Sequence, residues 1–82
     1  MQVIVFAQDL SGRRDDGYYT KPDLASALDL FFVPDGSKMF QDADGNDEMT
    51  REDAETTFDV DRRVTFYNEN GEQTVITADP SR

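Results

Sequence analysis

Residues 63–77 read Arg63-Val64-Thr65-Phe66-Tyr67, then Asn68-Glu69-Asn70-Gly71-Glu72, then Gln73-Thr74-Val75-Ile76-Thr77. The two outer segments are rich in the β-branched and aromatic residues that favour strands. The middle segment is polar and contains a glycine, which can adopt the positive φ that a tight turn requires. The pattern predicts a β-hairpin at the C-terminal end of the chain.

Two further segments have the composition of strands. The run Val3-Ile4-Val5-Phe6-Ala7 is continuously apolar, which predicts a central strand buried on both faces of a sheet. Ser37–Gln41 is a candidate for a short strand, and the Asp44-Gly45-Asn46 sequence marks a turn after it. Residues 9–19 contain two glycines and are expected to form a loop or an irregular hairpin.

A helix is predicted between these strands. Thr20 and Asp23 have the spacing of a capping box, and a proline lies in the first turn that would follow. Apolar residues then recur at the three- and four-residue spacing of one helix face, at Leu24, Ala27, Leu28 and Phe31. The pattern predicts a main helix that begins at Thr20 and ends at 33–36.

A second capping pattern occurs at Thr50 and Asp53. It predicts a helical turn, whereas the alternation of Ala54, Thr56, Phe58 and Val60 with polar residues is typical of a strand. We expect a helical turn that runs into a strand near Phe58.

Together these elements predict one α+β domain over residues 1–82. It would have a small antiparallel or mixed β-sheet, one main amphipathic helix packed on one face, and the C-terminal β-hairpin. Residues 79–82 are expected to form a flexible tail. A chain of this length buries only about 60–65% of its unfolded surface, so the core is thin and little volume is left for a deep pocket.

The chain contains no cysteine and no histidine. It therefore lacks disulfides, thiolate metal sites, cysteine nucleophiles and the commonest general base. With no glycine-rich phosphate loop either, we expect a protein that is not an enzyme and needs no cofactor. A small secreted domain usually needs disulfides, and no basic region precedes the first apolar run, so a cytoplasmic location is expected.

The net charge of −10 is concentrated in one window. Residues 42–61 contain nine acids and one base, Arg51. Such a surface is attracted to basic proteins or cations and is repelled by nucleic acid and anionic membranes. The predicted partner-binding residues are the acids of this window: Asp42, Asp44, Asp47, Glu48, Glu52, Asp53, Glu55, Asp59 and Asp61.

The sharpest interpretation of this window is nucleic-acid mimicry. Carboxylates are ionised at neutral pH and accept paired hydrogen bonds from arginine, as phosphates do. A rigid array of them could occupy the basic groove of a DNA- or RNA-binding machine. In overall character, though not in any motif, the chain resembles the small acidic antagonists that phages direct at restriction or CRISPR complexes, which would imply action in the host cytoplasm.

Two alternatives belong to other classes. Asp42, Asp44, Asn46 and Asp53 fall at positions 1, 3, 5 and 12 of a calcium-loop register. The glycine of that register is displaced, because Asp47 occupies its position. The second alternative is an accessory protein of a salt-adapted organism, since aspartate greatly outnumbers lysine; salt adaptation, however, would spread acids over the whole surface.

Overall fold

A computed structural model describes residues 2–9, 17–33, 36 and 38–79. In that part of the chain, six strands form one antiparallel sheet, and two helices accompany it. The strands are β1 (Val3–Asp9), β2 (Gly17–Lys21), β3 (Met39–Phe40), β4 (Glu48–Met49), β5 (Arg63–Tyr67) and β6 (Glu72–Ala78). The helices are α1 (Leu24–Leu28) and α2 (Arg51–Asp61). The predicted α+β class is confirmed.

The strand order across the sheet is β2-β1-β6-β5-β3-β4. The predicted C-terminal hairpin is confirmed as β5 and β6, which pair with Val64 opposite Ile76. Gly71 lies in the turn with φ 79°, a backbone conformation that is unfavourable for residues other than glycine. β1 lies between β2 and β6 and is therefore an interior strand, as predicted.

Both helices cover the same face of the sheet. The buried residues of α1 (Ala27, Leu28) and of α2 (Ala54, Phe58) join one apolar cluster with alternate strand residues. Those strand residues are Val3, Val5, Met39, Met49, Val64, Phe66 and Ile76. Phe66 is central to the cluster, and the rings of Phe31 and Phe32 pack edge-to-face against it with centroids 5.2 and 5.1 Å away.

The prediction that β1 is buried on both faces is wrong. Val3 and Val5 are fully buried, but Ile4 and Phe6, which point to the other side, remain partly exposed. The helices pack on one face only, so Ile4 and Phe6 have no helix above them in the part of the chain that is described. A continuous apolar run therefore does not distinguish one covered face from two.

The helix predicted in this region is present as α1, with the predicted Ala27 and Leu28 buried, but its predicted start at Thr20 is wrong and it is the shorter of the two helices. Thr20 and Lys21 belong to β2, where they pair with Ile4 and Val3 of β1. α1 begins later, and its N-cap is Asp23, whose carboxylate accepts a hydrogen bond from the Ser26 backbone N–H at 2.7 Å. This hydrogen bond lowers the pKa of Asp23. Pairing with β1 provides hydrogen-bond partners for more backbone N–H and C=O groups than one capping hydrogen bond does, so these residues form a strand.

α2 is the longer helix, and its start was predicted correctly. The Thr50 hydroxyl accepts from the Asp53 N–H at 3.1 Å, and the Asp53 carboxylate accepts from the Thr50 N–H at 3.2 Å, which completes the capping box. The strand expected near Phe58 is absent: the helix continues to Asp61. Ala54 and Phe58, four residues apart, bury the same helix face, and this contact favours the helical period.

The chain ends are only partly described. Of the predicted tail 79–82, the Asp79 N–H donates to the Gln2 carbonyl at 3.0 Å, and residues 80–82 lie outside the described part. Of the loop or irregular hairpin expected in residues 9–19, the structure has a hairpin of β1 and β2, whose connecting residues 10–16 also lie outside the described part. No helix in the described ranges is long and apolar enough to cross a membrane.

Candidate functional site

The nine acids predicted to bind a partner lie on two consecutive features. Asp42, Asp44 and Asp47 belong to the turn between β3 and β4, and Glu48 begins β4. The other five, Glu52, Asp53, Glu55, Asp59 and Asp61, lie on α2. All are exposed except Asp42, which is half-buried. Only residues 49–51 separate Glu48 from Glu52, so the turn acids lie near the N-terminal end of the helix.

The helix acids are not evenly distributed around α2. Glu52, Glu55 and Asp59 are separated by three and four residues, which aligns them along one side of the helix. At 3.6 residues per turn, this stripe points away from the face on which Ala54 and Phe58 are buried. We call these three residues the acidic stripe.

The charge density of α2 approaches that of a nucleic-acid strand. From Glu52 to Asp61 the helix rises about 13.5 Å, at about 1.5 Å per residue. Five carboxylates over that length have a mean axial separation of about 3.4 Å, and one strand of duplex DNA has one phosphate per about 3.4 Å. The spacing is irregular along the helix, but the average density of negative charge is equivalent.

The window's single base does not neutralise this charge. Arg51 turns toward α1, where its guanidinium donates to the Asp29 carboxylate at 2.5 Å and to the Ala25 carbonyl at 3.2 Å. Among the described residues, no acid of the window forms an ion pair. Asp42 and Asp53 accept local backbone hydrogen bonds, and the other seven carboxylates have no protein partner in this part of the chain.

The C-terminal end of α2 carries charge of the unfavourable sign. Carboxylates near a helix N-terminus are stabilised by the helix dipole, and those near its C-terminus are destabilised. Glu52 and Asp53 lie in the first turn, but Asp59 and Asp61 lie at the opposite end, and the last turn contains no base. Helix-dipole stabilisation therefore accounts only for the acids at the N-terminal end; the bases nearest in sequence to Asp59 and Asp61 are Arg62, at the C-cap, and Arg63.

Glu48 is set apart from the helix acids by strand register. It pairs with Phe40, which pairs with Tyr67, and Tyr67 lies on the sheet face opposite the helices. The predicted surface is therefore not one continuous patch. The acidic stripe and the turn acids form its larger part, and Glu48 faces elsewhere.

Two carboxylates of the calcium-loop register accept backbone hydrogen bonds, one in a turn and one in a helix cap. The Asp42 carboxylate accepts from the Asn46 N–H at 3.0 Å, within a turn closed by the Gln41 N–H and the Asp47 carbonyl at 2.7 Å. Asp53 is held in the capping box of α2. Within the described ranges, no group of three or more acidic side chains has the spacing of a metal site.

Val60 was not anticipated as a surface residue. It is 75% exposed on the solvent side of α2, between Asp59 and Asp61. The strand-like alternation of this segment concealed its position. The helical phase set by Ala54 and Phe58 would have placed it correctly, because Val60 follows Phe58 by only two residues and so points away from the core.

Comparison of the chain with protein-family models, with curated proteins and with solved structures found no match.

Proposed function

We propose that this protein binds a basic protein surface through α2 and the β3–β4 turn, as a mimic of nucleic acid. The observation that carries the proposal is the acidic stripe Glu52, Glu55 and Asp59, which forms no ion pair, on a helix whose own base, Arg51, is held by Asp29. Such an array suits a groove lined by arginine and lysine, which would form charge-assisted hydrogen bonds with it.

The partner is a nucleic-acid-binding protein or complex of the host cytoplasm, and the protein acts on it as a competitive inhibitor without catalysis. The density of carboxylates along α2 supports this choice of partner, because it matches the density of phosphates along one strand. A rigid helix also presents its charges without the ordering cost of a flexible acidic tail. An antagonist of a restriction or CRISPR complex is one protein of this type.

Immobilised protein, incubated with a cell lysate, tests the proposal. We expect it to retain nucleic-acid-binding proteins and to release them when duplex DNA or RNA is added. Polyglutamate of equal charge should release them less effectively, since it lacks the fixed spacing. Because complementary charge drives the association, retention should decrease steeply as salt rises.

Charge reversal identifies the surface. Glu55→Lys should weaken binding about tenfold, and the combination of Glu52→Lys, Glu55→Lys and Asp59→Lys should abolish it. The matched control is Glu69→Lys, an identical change at an exposed residue of the β5–β6 turn. An equal loss of binding in Glu55→Lys and Glu69→Lys would show that net charge alone determines the affinity. Retention of the partner that is unchanged in the triple variant would refute the proposal.

A further inference from the structure

The sheet has a second face on which no helix packs in the described part of the chain. Register places on it the alternate strand residues that point away from the buried cluster. Its apolar members are Ile4, Phe6, Tyr18, Phe40, Tyr67 and Val75. We call this surface the open face.

The open face is apolar at its centre. Phe6 pairs with Val75 on β6, and Val75 pairs with Thr65 on β5, so these three form a row across the middle of the sheet. All three remain partly exposed, although their strands are interior strands. Tyr18 extends the row onto β2 and is 74% exposed. Exposed apolar surface of this kind on a small domain marks an interaction site.

The charge of the open face differs from that of the rest of the molecule. Its strand positions carry one base, Arg63, at one end of β5, and one acid, Glu48, on the far strand β4. The acidic stripe lies on the other side of the sheet, because α2 packs there. In a chain with a net charge of −10, this face is close to neutral.

We propose that the open face binds a second copy of this chain, with the two sheets packed face to face. Two copies repel each other wherever acids meet, so a near-neutral face is where they can approach. Two identical twisted sheets are complementary in shape and stack with their strands at about 30°. In this arrangement the acidic stripes lie on the two outer sides, as far apart as the dimer allows.

The area of the face indicates a weak dimer. The four longer strands, β1, β2, β5 and β6, are five to seven residues long, so at about 3.4 Å per residue and about 4.8 Å spacing they present about 400 Å² per copy. The dimer would therefore bury about 800 Å² in total, which is below the usual range of stable specific interfaces and in the range of weak, transient ones. Because charge repulsion opposes it, we expect a dissociation constant of about 100 μM in dilute buffer.

The decisive test is the dependence of dimerisation on salt concentration. Sedimentation equilibrium of the full chain between about 10 and 500 μM measures the dimer dissociation constant at each salt concentration. Screening shortens the range of repulsion from about 10 Å at 0.1 M salt to about 3 Å at 1 M. Dimerisation should therefore tighten as salt rises, whereas binding of a basic partner through the acidic stripe should weaken. The two proposals can consequently fail independently.

Two valines provide matched variants. Val75→Lys places a charge at the centre of the open face, and Val60→Lys makes the same change on the solvent side of α2. Both alter the net charge equally, so a difference between them reports on location. We expect Val75→Lys to weaken dimerisation at least about tenfold and Val60→Lys to leave it unchanged or slightly tighter.

Thr65→Lys, on the neighbouring strand, replaces Val75→Lys if circular dichroism shows that the latter fails to fold. A wild-type chain that stays monomeric at about 500 μM in 1 M salt, where screening is strong, would overturn the proposal. So would dimerisation that weakens with salt, or that persists unchanged in both open-face variants.

Discussion

At the scale of single residues, Arg62 is the described residue other than glycine that has a positive φ. It caps the C-terminal end of α2 with φ 57° and ψ 22°, and its N–H donates to the Phe58 carbonyl at 2.7 Å. The left-handed conformation costs a residue with a side chain about 1–2 kcal/mol. Gly45 and Gly71 adopt similar φ values without that cost.

Arg62→Gly should raise the free energy of unfolding by about 0.5–1 kcal/mol, since relief of strain exceeds the entropy lost by glycine. Urea denaturation measures the change. Arg63→Gly is the control, because it removes the same charge from an exposed residue in β5, where glycine weakens a strand. If both variants were equally destabilised, the left-handed conformation of Arg62 would not be a source of strain.

At the scale of secondary-structure elements, the two faces of the sheet are predicted to contribute unequally to stability. Phe66 of β5 points to the helix face, is fully buried, and contacts the rings of Phe31 and Phe32. Phe6 of β1 points to the open face and is only partly buried. The same substitution at the two positions therefore compares the coverage of the two faces.

Phe66→Ala should cost about 3–5 kcal/mol, because it leaves a cavity between the sheet and the helices. Phe6→Ala should cost about 1–2 kcal/mol, since less area is removed from the interior and water can fill the space. Chemical denaturation at low protein concentration, where the chain is monomeric, gives both values. Equal losses would mean that the open face is covered as completely as the helix face.

At the scale of the whole molecule, the unpaired carboxylates should make stability depend on salt. Net charge far from zero destabilises a compact state by self-repulsion. Screening by about 0.5 M sodium chloride should therefore raise the melting temperature by several degrees. The variant combining Glu52→Lys, Glu55→Lys and Asp59→Lys should show a smaller increase. A melting temperature independent of salt in both proteins would indicate that the acids do not repel one another appreciably.

Local sequence determined several features of this protein by itself. The β5–β6 hairpin follows from strand-forming residues on either side of Gly71, and the start of α2 follows from the reciprocal hydrogen bonds of Thr50 and Asp53. These features depend on residues close together in the chain, so a short pattern is sufficient to predict them. The concentration of acids in residues 42–61 is likewise a property of the sequence alone.

Tertiary structure decided what those patterns leave open. Thr20 and Lys21 became strand because β1, 16 to 18 residues earlier in the chain, supplied their backbone partners, and α2 continued past Phe58 because the core buried one side of it. Strand register assigned Glu48 to the open face, and helical phase assigned the acidic stripe to solvent on the other side. Pairing partners and covered faces are non-local, so no short stretch of sequence contains them.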